Sequence, residues 1–226
     1  MDGRSAAAPP GTCVVIGVGR KLGLSVARRF GREGHPVALM ARRRSRLEEF
    51  GRDLGQDGIR WAAFEADASQ TDEVVAAVAT ARSSLGPVQV LVYNAAALNT
   101  PSLPSEMSLD LFYSTLRVNL VSALVATQLV VPDMRQLGTG TVLFTGGTWG
   151  LVPSAAYSAV GMGKAALRNL AFSFAEELAP DGIHVATVTI SGVIKAGTDF
   201  DPDRLADLYW DVHCQPPDAW EREVRY

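Results

Sequence analysis

Lysine is scarce in this 226-residue chain, where three lysines stand against eighteen arginines. Histidine also numbers three and cysteine two, and no uninterrupted apolar run approaches the ~20 residues that a bilayer crossing needs. Each shortage excludes something. Cys13 and Cys214 cannot build a disulfide framework, and they fit a reduced, cytoplasmic protein. His35, His184 and His213 are scattered without ligand spacing, so no metal site is read from them. A net charge of −3 leaves no basic surface for nucleic acid or an anionic membrane. The opening MDGRSAAAPP carries an acid and lacks an apolar h-region, so it reads as a disordered lead-in over 1–10 and not as a secretory signal.

What is present suffices for one ordinary domain over 11–226, at 47% hydrophobic and 20% charged residues. Apolar, β-rich runs at 12–17, 36–41, 59–67, 88–94, 139–146 and 183–190 read as strands, and 221–226 adds a short seventh. Between them lie helix-period segments at 21–34, 44–55, 71–86, 108–137, a helix ending near Leu178, and 202–213. Thr71 is placed to cap its helix, with Asp72 and Glu73 in the first turn. The long segment 108–137 is expected to bend at Pro132. This alternation predicts an α/β fold: a single Rossmann-type doubly wound parallel sheet of six to seven strands, with helices on both faces.

IGVGRKLG, residues 16–23, joins the first strand to the first helix. Gly17, Gly19 and Gly23 give a GxGxxxG turn, which lets backbone N–H groups and a helix N-terminus approach a pyrophosphate. The end of the second strand selects the cofactor. An NAD site needs a carboxylate there for the ribose 2′-hydroxyl. Ala41 takes the place instead, followed by Arg42, Arg43 and Arg44. Guanidinium pairs well with a 2′-phosphate, so Arg42 and Arg43 point to NADP, and Arg20 in the glycine turn is within reach of the same phosphate. Arg44 reads as the solvated start of the next helix.

Together these segments resemble the short-chain dehydrogenase/reductase family over residues 12 to about 198. The family opens with TGxxxGxG. Here Gly17 and Gly23 match its first and last glycines, with Leu22 between, while Lys21 stands in place of the middle one. The family's acid after strand three corresponds to Asp67, next to Ala68, in EADAS. Its NNAG corresponds to Tyr93-Asn94-Ala95-Ala96, and the asparagine of its long helix to Asn119. Its Pro-Gly after strand six appears as Ser191-Gly192, with Ile194 beyond. The resemblance implies that these positions, with Lys164, bind NADP. It also implies a homodimer or homotetramer built on paired helices, with a small-molecule substrate as the other partner.

The same resemblance implies a Ser, a Tyr thirteen residues later and a Lys four beyond that, the tyrosine handling the proton while hydride moves. In YSAVGMGK the candidates Tyr157 and Lys164 are seven apart. Helix register counted from Lys164 puts Val160 at the family's tyrosine position, and Gly146 near its serine. On a regular helix a seven-residue step leaves Tyr157 on the lysine's face but ~10.5 Å away, against ~6 Å for four. Alternatively, Gly161 and Gly163 delay the helix and leave Tyr157 on a loop over the nicotinamide. Thr145, Thr148 and Ser158 are the candidates for a replacement hydroxyl, and Thr148 joins Tyr157, Lys164 and Asn119 as a candidate catalytic residue. The segment after Gly192 is too short for the family's helical lid, leaving Trp149, Leu151 and Tyr209 as candidates to enclose substrate.

Two readings follow. One is an NADP-dependent oxidoreductase transferring hydride between NADPH and a carbonyl/alcohol substrate. The other is a non-redox protein on the same fold, an NADP-binding sensor or interaction protein, or an enzyme of proton-transfer or cyclising chemistry.

Overall fold

The computed structural model describes residues 9–98 and 101–226, so the lead-in assigned to 1–10 lies almost wholly outside the described residues. Seven strands form one parallel sheet in the order β3-β2-β1-β4-β5-β6-β7. They are β1 (Thr12–Ile16), β2 (Val37–Ala41), β3 (Trp61–Glu65), β4 (Val88–Tyr93), β5 (Gly140–Gly147), β6 (Ile183–Ile190) and β7 (Glu223–Arg225). The order reverses between β1 and β4, whose register pairs Ile16 with Tyr93. A crevice opens beyond the strand ends at such a reversal.

Alternation along β1 explains the layering. Val14 and Ile16 point to one face, and Cys13 and Val15 to the other. The first face is covered by α3 (Thr71–Leu85), α5 (Ser122–Leu137) and α6 (Ser158–Leu178), through residues such as Val78, Val130 and Leu167. The second is covered by α1 (Leu22–Arg32), α2 (Arg44–Gln56) and α7 (Pro202–His213), through Phe30, Leu54 and Tyr209. Strands buried on both sides favour apolar residues on both faces, which is why residues 13–16 of β1 and the whole of β2 read as apolar runs, while β6 buries His184, Thr187 and Thr189 among its apolar residues.

Two expectations are corrected. The segment 108–137 is interrupted at a π-helical turn, Arg117–Val121, between α4 (Leu109–Leu116) and α5, while Pro132 stays inside α5. The wider turn accompanies the burial of Asn119, which packs inward and exchanges hydrogen bonds with Ala97. Thr71 is the first helical residue, with Gln70 in the cap position, although Asp72 and Glu73 do occupy the first turn. Leu109–Leu137 is also long and apolar enough to reach across a bilayer, its most apolar 18-residue window having mean hydropathy 1.4. It is a core element here, because Ala126, Val130 and Met134 of α5 pack on the sheet.

The histidines meet although they are scattered in sequence. The rings of His35 and His213 lie 5.6 Å apart, and His213 Nδ1 pairs with the Thr141 hydroxyl at the start of β5. This cluster sits at the strand ends opposite the crevice. Cys13 is buried and Cys214 exposed, and both are free.

Candidate active site

A cavity of about 1160 Å³ occupies the crevice at the carboxyl ends of β1, β2, β4, β5 and β6. The glycine turn forms its floor. Gly17 has φ +89°, and a Cβ there would lie 2.4 Å from the Ala95 nitrogen, so only glycine lets the turn pass this close to the chain after β4. A Cβ on Gly19 would meet nothing within 4 Å, leaving that side of the turn open. Asn94 holds the turn from behind, donating from Nδ2 to the Gly17 carbonyl at 2.8 Å. The Thr145 hydroxyl donates to Asn94 Oδ1 at 3.0 Å and meets the Tyr209 hydroxyl at 2.7 Å. Lys164 Nζ donates to the Thr145 carbonyl at 2.6 Å. The glycine turn is thus joined by one hydrogen-bonded chain to the lysine.

Of the residues expected to bind cofactor, Gly17, Gly19, Leu22, Gly23, Arg42, Asp67, Ala68, Asn94, Ala95, Ala96, Lys164, Gly192 and Ile194 all line this cavity. Asp67 is oriented by the Ser69 amide, which donates to its Oδ1 at 2.8 Å. Arg20 and Arg43 do not line it. Arg20 turns outward to pair with Glu49 at 2.9 Å over the Phe50 ring, and Arg43 occupies the cap position of α2. Arg44 pairs with Glu48 on the helix surface, as a solvated helix start does.

The chemistry end divides differently. Lys164, 7% exposed, and Thr148 both border the cavity, and burial lowers the Lys164 ammonium to about 8. Asn119 lies behind the wall, bonded to Ala97. Tyr157 is not among the lining residues. Helix α6 is not delayed by its glycines: Tyr157 caps it, and its carbonyl accepts from the Gly161 amide at 2.9 Å. Its ring stacks flat on Trp149, centroids 4.1 Å apart, and Ser102 pairs with its backbone. The residue that α6 presents to the cavity one turn before Lys164 is Val160. The expected Tyr157–Lys164 pair is therefore replaced by two separate contacts, phenol on indole and ammonium on the Thr145 carbonyl.

The serine position also moves by one. A Cβ on Gly146 would lie 2.6 Å from Thr189 Oγ1 and 2.8 Å from Thr187 Oγ1, inside the sheet. A Cβ on Gly147 would meet nothing within 4 Å, so Gly147 is where a side chain would face the cavity. Counting thirteen plus four residues back from Lys164 reaches 147 directly, a signal the sequence held. Thr145 is occupied by Asn94 and Tyr209, and the Ser158 hydroxyl donates to the Ser102 carbonyl at 3.4 Å, leaving Thr148 as the remaining candidate of the three on the cavity wall. Tyr209 is fully buried and Leu151 lies off the cavity, so Trp149 alone of that expected trio lines it.

The loop after β6 carries no helix and is short. Gly192 packs under the Phe200 ring, the Lys195 amide donates to the Phe200 carbonyl at 3.0 Å, and the Tyr226 hydroxyl donates to the Asp199 carbonyl at 2.8 Å. Among the lining residues that the sequence reading did not assign to the cofactor, Lys21 carries a charge. Lys21 donates from Nζ across the cavity to the Ile194 carbonyl at 2.8 Å.

An anion-accepting turn, a deep cleft at the sheet's reversal and a buried lysine fit a dinucleotide. The family model for short chain dehydrogenases matches residues 11–204, and the chain belongs to that family of oxidoreductases. It is 28% identical to human dehydrogenase/reductase SDR family member 4 over 176 residues, 77% of this chain but 62% of that protein. A short-chain dehydrogenase from Rhodopseudomonas palustris superposes with TM-score 0.87 at 30% identity, covering 96% of this chain and 97% of its own. A metagenomic short-chain oxidoreductase in complex with NADP gives TM-score 0.86 at 25% identity, covering 95% and 96%.

Proposed function

We propose that this chain binds NADP(H) in the cavity and acts as an oxidoreductase on a carbonyl/alcohol pair. The observation that carries the reading is the wall at the end of β2. Ala41 and Arg42 border the cavity where a carboxylate would be needed to hold a ribose 2′-hydroxyl. A guanidinium there favours a 2′-phosphate. The NADP complex of a protein with this fold supports the same choice.

At the far end, bound NADPH supplies hydride, and the chain's own residues must manage the proton. Val160 has none to give. Lys164 is the titratable side chain on that wall, and with its ammonium lowered to about 8 it exchanges protons readily near neutral pH. Proton exchange with the substrate oxygen accordingly runs through Lys164, directly or across a water, with the Thr148 hydroxyl beside it. Leu98, Trp149 and Val193 line the mouth and suit an apolar small molecule.

A second reading, an NADP-binding protein without hydride transfer, is favoured by one observation: Gly147 and Val160 occupy the two wall positions from which a hydroxyl and a phenol would act. Deuterium separates the two readings. The protein is incubated with 4-deuterated NADPH and a panel of aldehydes and ketones, and the alcohols are read by mass spectrometry. Deuterium in a product supports the oxidoreductase. Bound cofactor with no deuterium transfer to any carbonyl supports the second reading.

A further inference from the structure

We infer that Lys21 is a cofactor-binding residue: a cation held over the cleft to pair with the diphosphate of the dinucleotide. The inference rests on the reading above that NADP(H) occupies the cavity.

Lys21 sits in the glycine turn at the cap position of α1, where the first turn of the helix has N–H groups without helical partners. Its side chain is exposed at the cleft mouth, but it is held there by a partner. It reaches across the cleft, and Nζ meets the carbonyl of Ile194, 173 residues away in the chain, at 2.8 Å. Both residues line the cavity. The ammonium therefore stands between the phosphate-accepting turn and the loop that closes the opposite side.

The far anchor is built to stay in place. Phe200 packs against Gly192, the Ser191 amide donates to the Tyr226 carbonyl at 2.8 Å, and Tyr226 returns through its hydroxyl to Asp199. A loop tied at these points keeps the Ile194 carbonyl at a fixed height above the turn. The Ile194 carbonyl is a neutral acceptor, and an anionic phosphate oxygen is a stronger one for an ammonium. Among the described residues no carboxylate pairs with Lys21, whereas its neighbour Arg20 is taken up by Glu49. Entry of a diphosphate thus gives Lys21 a better partner without requiring it to leave a salt bridge. Glycine at this point would leave the backbone turn alone to bind the anion.

The test is equilibrium titration of the folded protein with two probes. NADPH carries the diphosphate, and adenosine 2′-monophosphate lacks it while keeping the 2′-phosphate. Lys21→Met is expected to weaken NADPH about tenfold, as loss of one charge-assisted bond does, and to leave the monophosphate unchanged. Lys21→Arg, which keeps the charge, is expected to recover most of the NADPH affinity. Melting temperatures of both variants check the fold. NADPH binding unchanged in Lys21→Met, or both probes weakened alike, overturns the assignment while leaving NADP(H) binding intact. Wild-type protein that binds no NADPH overturns the reading beneath it, and Lys21 with it.

Discussion

Replacing Val160 by tyrosine probes the proton chemistry of the cavity at the point where the fold would place it. Val160 is 2% exposed and borders the cavity one helical turn before Lys164. On a regular helix the two Cα atoms stand ~6 Å apart, so the new phenol would share a wall with the ammonium, which favours the phenolate form. The open cavity in front of Val160 gives the ring somewhere to go without overpacking the core. A well-placed general acid contributes about 10²–10⁴ in rate. With Gly147 still lacking a hydroxyl, the expected gain lies at the lower end, about a hundredfold in NADPH-dependent carbonyl turnover. The assay follows loss of reduced-nicotinamide absorbance, with Tyr157→Phe as the companion variant. Tyr157 rests on Trp149 away from the cavity, so its phenol should be dispensable, with turnover kept within about twofold. No gain in Val160→Tyr together with lost turnover in Tyr157→Phe would refute the reasoning. Tyr157 would then have to leave Trp149 and act as the acid itself.

The two adjacent glycines of β5 should respond oppositely to serine. Gly146→Ser forces a Cβ against Thr187 and Thr189 and should cost about 1–3 kcal/mol, a fall of several degrees in Tm. Gly147→Ser should leave Tm unchanged and add to the rate gain of Val160→Tyr; equal melting behaviour of the two serine variants contradicts the placement. Acid should destabilise the fold through the histidine cluster. Burial, then the neighbouring His35 and His184, hold His213 down at about 4 against an ordinary 6.5. The folded state therefore binds fewer protons than the unfolded chain between those values. Stability should fall as pH drops from ~6.5 towards about 4, by about 2 kcal/mol between pH 7 and 5. Urea midpoints at the two pH values measure this, and His213→Gln should flatten the slope; a slope unchanged in that variant refutes the assignment.

The sheet, its order of elements and the glycine turn were legible because they depend on local pattern. β-Branched runs, helix periods and a φ-positive Gly17 leave their mark within a few residues. The place of Arg42 on the cavity wall was legible for the same reason, since it stands at the end of its own strand. What failed to show was set by long-range packing. Tyr157 looked like a respaced catalytic residue because proximity to Lys164 in sequence says nothing of Trp149, which claims its ring. Glu49 drew Arg20 away from the cavity from the next helix. The Lys21–Ile194 contact joins opposite ends of the chain, and nothing near position 21 announces it. Asn119 lay in a stretch with good helical period, and its buried bond to Ala97, rather than Pro132, marks where the helix gives way.

The central claim is that the cleft holds NADP(H), selected by Arg42 at its wall. Its most direct test is equilibrium titration of the protein with NADPH and with NADH, followed by reduced-nicotinamide fluorescence, on wild type and Arg42→Asp. A charge-assisted pair to the 2′-phosphate predicts NADPH tighter than NADH by about tenfold or more, and a preference abolished or reversed in Arg42→Asp. Equal affinity for the two cofactors in the wild type, or an NADPH preference that survives Arg42→Asp, would contradict the account.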